Sequence, residues 1–447
     1  MEFMDKFVSI ILPARNEAEN IIPCLQSIAA QDYPKDCMEL LIVDGQSTDD
    51  TLAKIQNTKA EIKITILENP NRTAPYAMNL GIKAARGGII LRFDGHAIME
   101  PDYVSNCVKF LEQTKADNVG GPMLAVGTGI TGRAIALAHQ SPFGLGGGAF
   151  HSTFEGFSDT VYLGCFPKET FAKYGLYDTR LTRNQDIELN ARIRKGRYLN
   201  SEFRIQNSEF GPGRIYLTPK IKSQYHCRST LAGLWSQNFK NGQWVVYTKH
   251  IAPYALSLRH FIPLIFVSSL ILLASISIFH HPQISAGAKL LTSFKHAAGI
   301  KTPAWANLLN LNCWNLKLLA LRLLLLELGA YLGAMLLFVI KAGQAKFNVY
   351  RLKLGNNEEQ SSDSPTTSES STVNGPTVKL VLSEAGLPNK RMDVQTVNSK
   401  LAPCSLLLLP LVFVTLHFSY GLGSIWGLVT LPFWLKKAPA TKIPEIR

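Results

Sequence analysis

Three long apolar segments in the second half of the chain constrain its fold more than any other feature. Residues 261–279, FIPLIFVSSLILLASISIF, contain no charged side chain and have the length of about 20 residues that a membrane-spanning helix needs. Residues 316–340 form a second segment, in which Arg322 and Glu327 are expected to be paired or to lie near an interface. Residues 404–434 are too long for one untilted helix and too short for two, so we predict one span that could be broken or re-entrant. The chain is therefore predicted to be an integral membrane protein.

A polar segment separates the second apolar segment from the third. It includes NNEEQSSDSPTTSESSTVNGPT, which has too few apolar residues to bury a core, so we predict a linker. Basic residues directly after the second apolar segment indicate that this side faces the cytosol: Lys341, Lys346, Arg351 and Lys353. The predicted parts are a cytosolic domain over 1–250, a membrane region of two helices over 251–345, the linker over 346–402, a third transmembrane segment over 403–436 and a basic tail over 437–447.

The first residues and the composition indicate location and partners. MEFMDKFVSIILPARNE has a short apolar run without a cleavage pattern, which predicts a first strand rather than a signal peptide and places the N-terminal domain in the cytosol, at the cytoplasmic membrane. The net charge of +13 favours a polyanionic or membrane-surface partner. Nucleic acid is not expected, because the basic residues are scattered and not interleaved with aromatic residues. The seven cysteines form no CxxC pair, which predicts reduced thiols and no zinc site.

The first half of the chain alternates between strand-like and helix-like stretches. The apolar runs FVSIILPA, MELLIVDG, IKITILEN and GIILRFDG are separated by helix-like sequence, which predicts βαβ units and an α/β domain with a mainly parallel sheet. Ligands of such sheets bind at the carboxyl ends of the strands. Polar clusters follow the four runs at residues 13–17, 44–47, 69–72 and 94–96. Neither GxGxxG nor GxxxxGK[ST] is present, so a dinucleotide fold or a P-loop is not supported.

The fourth cluster, Asp94-Gly95-His96, has the chemistry of a partial metal site. Residues i and i+2 of an extended segment point to the same side, so the Asp94 carboxylate and the His96 imidazole are expected to face one crevice. These ligand types suit Mg²⁺ or Mn²⁺, with water and a diphosphate completing the shell. A structural alternative is that Asp94 caps the turn and His96 is a packed histidine. The two residues alone leave both interpretations open.

Four separated motifs resemble those of the family 2 glycosyltransferases. The motifs are SIILPARNEAENIIPCLQSI, LLIVDGQSTDDT, NRTAPYAMNLGIKAARGGIILRFDGHAIMEPDYV and TVYLGCFPKETFAKYGLYDTRLTRNQDIELNARIRKGRYL. They keep the family's order and approximate spacing over residues 5–245. The resemblance implies a GT-A fold. The Asp-Gly-His triplet, LGCFPKETF and LHFSYGLGSIWGL are similar to succinoglycan-type membrane enzymes that extend lipid-diphosphate-linked oligosaccharides.

The resemblance implies which residues bind the nucleotide. Pro13, Glu17 and Asp44 match positions that hold a uridine nucleotide in the family. Asp44 is followed by Gly45 where the family usually has a second aspartate, which puts that second contact in doubt. Arg72 lies in a segment near the nucleotide in relatives, although a solvated loop arginine is an equal alternative.

The resemblance also implies the metal ligands and the general base. Asp94 and His96 stand at the two ends of the family's DxD motif, with histidine replacing the last aspartate. Asp186 matches the general base, and Gln185 stands where the family usually has glutamate. An inverting transfer requires such a carboxylate to accept the proton of the acceptor hydroxyl. The alternative for Asp186 and Glu188 is an ordinary first turn of a helix, where acidic residues are favourable.

Two further segments bear on the mode of action. The Q-x-x-R-W motif of processive members is absent, because Gln237 is followed by Asn-Phe-Lys-Asn, and this favours the addition of a single sugar. The glycine-rich residues 141–157 could form a closing loop or a plain connection.

The sequence thus predicts a membrane-anchored, inverting and metal-dependent glycosyltransferase. A nucleotide sugar, with UDP favoured, would be the donor, and a polyprenyl-diphosphate-linked saccharide would be the acceptor in exopolysaccharide or glycan biosynthesis, with other polysaccharide-assembly proteins as candidate partners. Two alternatives stay open: a processive polysaccharide synthase, and a non-catalytic membrane scaffold whose transferase domain has degenerated.

Overall fold

The computed structural model describes residues 6–58, 62–145, 154–279, 313–359 and 403–437. The predicted linker beyond residue 359, and the centre of the glycine-rich stretch at residues 146–153, lie outside the described residues.

The N-terminal third alternates between strands and helices, as predicted. The first seven elements are β1 (Val8–Ala14), α1 (Ile21–Ala29), β2 (Met38–Asp44), α2 (Thr51–Gln56), β3 (Lys63–Glu68), α3 (Ala74–Ala84) and β4 (Ile89–Arg92). A 3₁₀ turn at Lys35–Cys37 precedes β2. All residues of β2 are buried, which explains the apolar run LLIV at its centre. β1 pairs with β2 and β4 in parallel, and β2 pairs with β3 in parallel.

The rest of the α/β region adds shorter elements. They are β5 (Ala97–Met99), α4 (Tyr103–Thr114), β6 (Asn118–Gly121), β7 (Met123–Val126), α5 (Gly129–Gln140), α6 (Pro142–Leu145), β8 (Gly156–Phe157), β9 (Tyr162–Pro167), α7 (Glu169–Tyr174), α8 (Gln185–Arg194), β10 (Arg197–Leu199), β11 (Ile205–Asn207), β12 (Ile215–Leu217) and β13 (Ser223–His226). The main sheet has the order β3-β2-β1-β4-β9-β6-β12-β8. Strand β9 is antiparallel to both of its neighbours. A second sheet has the order β5-β13-β7, and β10 pairs with β11.

Two apolar cores cover the two faces of the main sheet. Along β1, Ile10 and Leu12 pack into the core that includes residues of α1 and α4. Ile11 points to the other face and packs with residues of α3 and α8. This alternation follows from the period of two residues along a strand. Helices therefore cover both faces of the sheet, and the ends of the strands are left uncovered.

Four long helices follow the sheets. They are α9 (Leu231–Ile251), α10 (Ile262–Phe279), α11 (Cys313–Glu359) and α12 (Pro403–Lys437), with a 3₁₀ turn at Leu258–Phe261 before α10. The segments Leu258–Ile278, Leu316–Gln344 and Cys404–Lys436 are long and apolar enough to cross a membrane. The third is one continuous helix. The predicted fold, an α/β domain followed by apolar helices that could span a membrane, is confirmed.

Two polar details concern the apolar helices. Glu327 of α11, which was expected to need a partner, accepts a hydrogen bond from Ser269 of α10 at 2.5 Å. The pairing satisfies part of the hydrogen-bonding capacity of a carboxylate inside an apolar segment. Arg322 is exposed.

Helix α12 packs closely against α9, the helix that follows the α/β domain. A Cβ atom on Gly242 would lie 2.0 Å from the carbonyl oxygen of Tyr420, and one on Gly423 would lie 2.0 Å from that of Phe239. Only glycine allows the two backbones to approach this closely. The hydroxyl of Ser424 also donates to the carbonyl oxygen of Gly242 at 3.1 Å. The third apolar helix and the α/β domain are therefore joined through α9.

Candidate active site

The carboxyl ends of four parallel strands meet at one edge of the main sheet. Ala14 of β1 is paired with Asp44 of β2, and Asp44 is paired with Glu68 of β3. Strand β4 ends at Arg92, which is paired with Ile11 of β1. These strand ends and the loops after them carry all the residues predicted to contact the nucleotide or the metal. The structure thus places those residues along a single edge.

The residues on the β2 and β3 side of this edge are fixed by the turn after β2. Both carboxylate oxygens of the buried Asp44 accept hydrogen bonds from Ser47, one from its hydroxyl at 2.6 Å and one from its N–H at 3.0 Å. Arg72 is exposed and donates from Nε to Oε1 of Gln46 at 2.6 Å. Pro13 is half-buried near the end of β1. The roles of Pro13, Asp44 and Arg72 as nucleotide contacts stay predictions.

Arg92 connects the predicted metal ligand with the predicted base. Its Nε lies 3.1 Å from Oδ1 of Asp94, and its Nη2 lies 3.4 Å from Oδ2 of the same carboxylate. Its Nη1 lies 3.9 Å from Oδ2 of Asp186. Two carboxylates that are far apart in the sequence therefore lie on either side of one guanidinium.

His96 is paired with Glu17, the residue that follows β1 and that the family resemblance assigns to the nucleotide. The Nδ1 of His96 lies 3.0 Å from Oε1 of Glu17. Gly95 allows this contact, since a Cβ atom there would lie 3.2 Å from Cγ of Glu17. The Asp94-Gly95-His96 triplet is a turn in the structure, and its two side chains have different partners.

The charges of the site shift the pKa values of both predicted metal ligands. Burial would raise the pKa of Asp94, but the charges of Arg92 and His96 and the hydrogen bond from Arg92 hold it below its usual value. Burial would lower the pKa of His96, but the hydrogen bond with Glu17 and the charges of Asp94 and Glu17 raise it. A cation that binds His96 would have to displace this proton.

The ligand chemistry of Asp94 and His96 suits a divalent cation only as part of a larger shell, since both oxygens of Asp94 already face Arg92. A carboxylate retains lone pairs beyond those used by one arginine, and a neutral His96 that donates from Nδ1 to Glu17 presents the lone pair of Nε2. Within the described ranges, no group of three or more His, Cys, Asp and Glu side chains could hold a metal by itself. Water and substrate would have to supply the remaining ligands, as the sequence predicts.

Asp186 lies in the first turn of α8, after Asn184, whose φ of 61° is left-handed. Its side chain is 44% exposed, and its Oδ1 accepts a hydrogen bond from the N–H of Ile187 at 2.9 Å. Glu188, two residues later, is 0% exposed and pairs with Arg192. The open carboxylate beside Arg92 has the accessibility that a general base needs. The base assignment itself stays a prediction.

The segment before Asp186 is held by the helix that leads to the membrane region. Arg183 donates from Nη1 to Oδ1 of Asn241 at 2.6 Å, and Asn184 donates from Nδ2 to the hydroxyl of Thr248 at 3.1 Å. Both partners lie on α9, which packs on α12. The position of the candidate base is therefore linked to the packing of the apolar helices.

Sequence reasoning missed three residues that lie beside the predicted ligands: Arg92, Tyr162 and Tyr225. The ring of Tyr225 lies 5.7 Å from that of His96 and 6.1 Å from that of Tyr162. Only Arg92 carried a local signal, since it is the one charged residue within the apolar run GIILRF. The tyrosines come from β13 and β9, and only the folded chain brings them to this edge.

Comparison with known proteins identifies similar sequences and folds. The model of the family described as Glycosyl transferase family 2 matches residues 9–163. A dolichyl N-acetyl-alpha-D-glucosaminyl phosphate 3-beta-D-2,3-diacetamido-2,3-dideoxy-beta-D-glucuronosyltransferase from Methanococcus voltae is 31% identical over 245 residues, which cover 53% of this chain and 72% of that protein. The succinoglycan biosynthesis protein ExoA of Rhizobium meliloti is 28% identical over 238 residues, which cover 52% of this chain and 67% of that protein.

Solved structures similar to this chain are more distant. The mannosyltransferase PcManGT from Pyrobaculum calidifontis, in complex with GDP-Man and Mn²⁺, has 18% identity and a TM-score of 0.45, and the match covers 73% of this chain and 87% of that chain. S. aureus TarS in complex with UDP-GlcNAc has 16% identity and a TM-score of 0.37, and the match covers 57% and 72% of the two chains.

Proposed function

The chain belongs to glycosyl transferase family 2, and on that premise we propose that it transfers one sugar from a nucleotide sugar to a lipid-linked saccharide, with inversion at the anomeric carbon. The family and the GT-A α/β domain predicted from the four motifs are confirmed by the family match and by the mainly parallel sheet. The UDP-linked donor, the inverting mechanism and the divalent metal are proposed here in addition to the family.

The observation that carries the proposal is that Asp94 and Asp186 lie on either side of Arg92 at the carboxyl ends of the strands. An inverting transfer requires a base on one side of the anomeric carbon and a leaving diphosphate on the other. Asp186 accepts the proton of the acceptor hydroxyl, whose oxygen bonds to the anomeric carbon as the bond from that carbon to the diphosphate breaks. Asp94 and His96 would hold a divalent cation, which neutralises charge on a diphosphate when it is bound.

The acceptor is proposed to be a saccharide on a polyprenyl diphosphate at the cytosolic face of the cytoplasmic membrane. Three apolar helices would hold the chain there, and α9 links them to the segment that carries Asp186. The name of the Methanococcus voltae relative describes a dolichyl-phosphate-linked sugar, which supports a lipid-linked acceptor. The name of the Rhizobium meliloti relative supports a role in exopolysaccharide or related glycan assembly. The domain boundaries given above belong to the same proposal.

The proposed function is tested with the full chain purified in detergent. Transfer and donor hydrolysis are measured with UDP-glucose, UDP-N-acetylglucosamine and GDP-mannose, with a polyprenyl-diphosphate-linked saccharide, and with Mn²⁺, Mg²⁺ or a chelator. We expect metal-dependent addition of one sugar from a UDP-linked donor. Products that lengthen by many sugars would indicate a processive synthase. Protein that binds UDP but neither transfers nor hydrolyses any donor would indicate a non-catalytic scaffold.

Replacing Asp94 by alanine or asparagine is expected to remove the effect of metal on donor binding. The affinity for the nucleotide sugar in the presence of Mn²⁺ should fall at least about tenfold, because a metal ligand is lost. Isothermal titration with and without chelator measures this change. Asp102, an exposed carboxylate at the start of α4, provides the matched control as Asp102→Asn. Metal-dependent binding that survives in both Asp94 variants would show that Asp94 only caps its turn.

A further inference from the structure

A buried arginine ends strand β4, where the sequence pattern predicts only apolar side chains. Arg92 is 8% exposed and follows Ile89, Ile90 and Leu91 in the centre of the main sheet. Burying a guanidinium is costly unless its charge is paired and its N–H groups find acceptors. A guanidinium buried at this free-energy cost, beside two carboxylates with predicted functions, requires an explanation.

The guanidinium of Arg92 is only partly satisfied by the protein. Its Nε and Nη2 face the two oxygens of Asp94 at 3.1 Å and 3.4 Å. Its Nη1 lies 3.9 Å from Asp186, which is too long for a hydrogen bond. In the described part of the chain, Nη1 of Arg92 is buried and has no hydrogen-bond partner. Nη1, between the predicted metal ligand and the predicted base, therefore has no acceptor in hydrogen-bond geometry, although the phenol of Tyr177 also lies close to the guanidinium.

Two other buried polar atoms near this position also have no partner among the described residues. One is the hydroxyl of Tyr162, and the other is Oε1 of Gln185, the neighbour of Asp186. Tyr162 lies close enough to Asp94 and Arg92 for their charges to act on its phenol. Buried polar atoms are nearly always paired in folded proteins, so a group of unpaired ones indicates a polar ligand. An N–H donor, a hydroxyl and an amide oxygen together complement the hydroxyl groups of a sugar.

We propose that Arg92 binds the transferred sugar: Nη1, which lies between the two carboxylates, donates a hydrogen bond to a sugar hydroxyl, while Nε and Nη2 hold Asp94. This inference rests on the proposed function. In the reaction, Arg92 keeps its protons. The new bond joins the acceptor oxygen to the anomeric carbon, the bond to the diphosphate breaks, and the released proton passes to Asp186. The hydroxyl of Tyr162, beside Asp94 and Arg92, offers a second contact to the same sugar.

The test compares the binding of a nucleotide with that of its sugar-bearing form. UDP and the nucleotide sugar that the wild type uses are titrated into the full chain in detergent, for the wild type, Arg92→Lys and Arg92→Met. A contact to the sugar predicts that both variants bind UDP as the wild type does and bind the nucleotide sugar about tenfold more weakly, which is the usual effect of losing a charged hydrogen bond. In Arg92→Lys, kcat should also fall about a hundredfold, because an ammonium cannot hold both oxygens of Asp94 as a guanidinium fork does.

Donor analogues sharpen the test. Each analogue lacks one sugar hydroxyl, and the one that lacks the contacted hydroxyl should bind equally weakly to the wild type and to Arg92→Lys, because the interaction is already absent. Arg86→Met is the matched control, since Arg86 pairs with Glu39 beyond the opposite ends of the strands and is half exposed. It should leave the ratio of the two affinities unchanged.

Two outcomes would contradict the proposals. Arg92→Met leaves Asp94 without its partner and could fail to fold, so Arg92→Lys, which retains the charge, is the deciding variant. If Arg92→Lys shows the wild-type ratio of UDP to nucleotide-sugar affinity, the sugar contact does not exist, whatever happens to kcat. If the wild type itself neither binds nor transfers any donor, the proposed function fails, and that result is distinct from failure of the sugar contact.

Discussion

Asp186→Asn is expected to lower the rate of sugar transfer at least about a hundredfold, because general-base catalysis commonly contributes that much and an amide cannot accept the proton. Binding of the nucleotide sugar and the unfolding temperature should stay close to those of the wild type. The asparagine amide oxygen can still accept the hydrogen bond that Oδ1 of Asp186 receives from the N–H of Ile187. Initial rates with the lipid-linked acceptor, together with titration of the donor, measure the two effects separately.

Asp102→Asn again provides the control for the loss of one exposed carboxylate. Transfer by Asp186→Asn above about one per cent of the wild-type rate would assign the base to another group, since a lost base usually costs at least a hundredfold. A simultaneous loss of donor binding would indicate that Asp186 organises the donor site rather than accepting the proton. A selective loss of kcat is the result that the open position of Asp186 beside Arg92 predicts.

The sequence predicts the strands of this fold better than their order. The four apolar runs of the first 95 residues form β1 to β4. β1, β2 and β4 are buried, and a buried parallel strand needs an apolar run, a requirement that is local. The edge strand β3 is partly exposed. The insertion of β9 as an antiparallel strand between β4 and β6 depends on pairing between distant segments. No residue in its sequence, YLGCFP, specifies the direction of its neighbours.

The residues of the candidate site were likewise predicted only in part. The resemblance to the family predicted Asp94, His96 and Asp186, and the structure brings Asp94 and Asp186 together around Arg92. The pairing of His96 with Glu17 was not predicted, because Glu17 follows β1 and His96 follows β4, and only the adjacency of those strands creates the contact. Arg92 was missed because a charge at the end of a buried strand is interpretable only when its partners are known.

The helix-start pattern alone did not distinguish Asp186 from Glu188, and only the family resemblance singled out Asp186 as the base. The structure separates them, because residues two positions apart face different directions on a helix. Asp186 is open to the strand ends, whereas Glu188 is fully buried and accepts hydrogen bonds from Arg192 at 2.9 Å through both of its oxygens. Glu188 also accepts a hydrogen bond from the hydroxyl of Tyr254, which follows α9. Asp186 is therefore a candidate for the general base, and Glu188 is a candidate for stabilising the domain.

Glu188→Gln is expected to destabilise the catalytic domain by about 3 to 5 kcal/mol, because it leaves the buried guanidinium of Arg192 without its counter-charge. For a domain of this size that corresponds to a fall of about 6 to 20 °C in unfolding temperature, measurable by scanning fluorimetry in detergent. Arg192 also donates to the carbonyl oxygens of Tyr174 and Leu176, so the loop that precedes α8 should loosen with it.

The double variant Glu188→Gln, Arg192→Met tests whether the lost stability comes from the unpaired charge of Arg192 or from the changed shape of the side chains. Removing both members of a buried pair avoids the unpaired charge, so the double variant should recover part of the lost unfolding temperature. An unfolding temperature for Glu188→Gln that equals that of Asp186→Asn would contradict the separation of roles. We expect Asp186→Asn to lose activity and keep its unfolding temperature, and Glu188→Gln to lose unfolding temperature. Together these results would show that one turn of α8 carries the candidate base on its exposed side and a residue that stabilises the domain on its buried side.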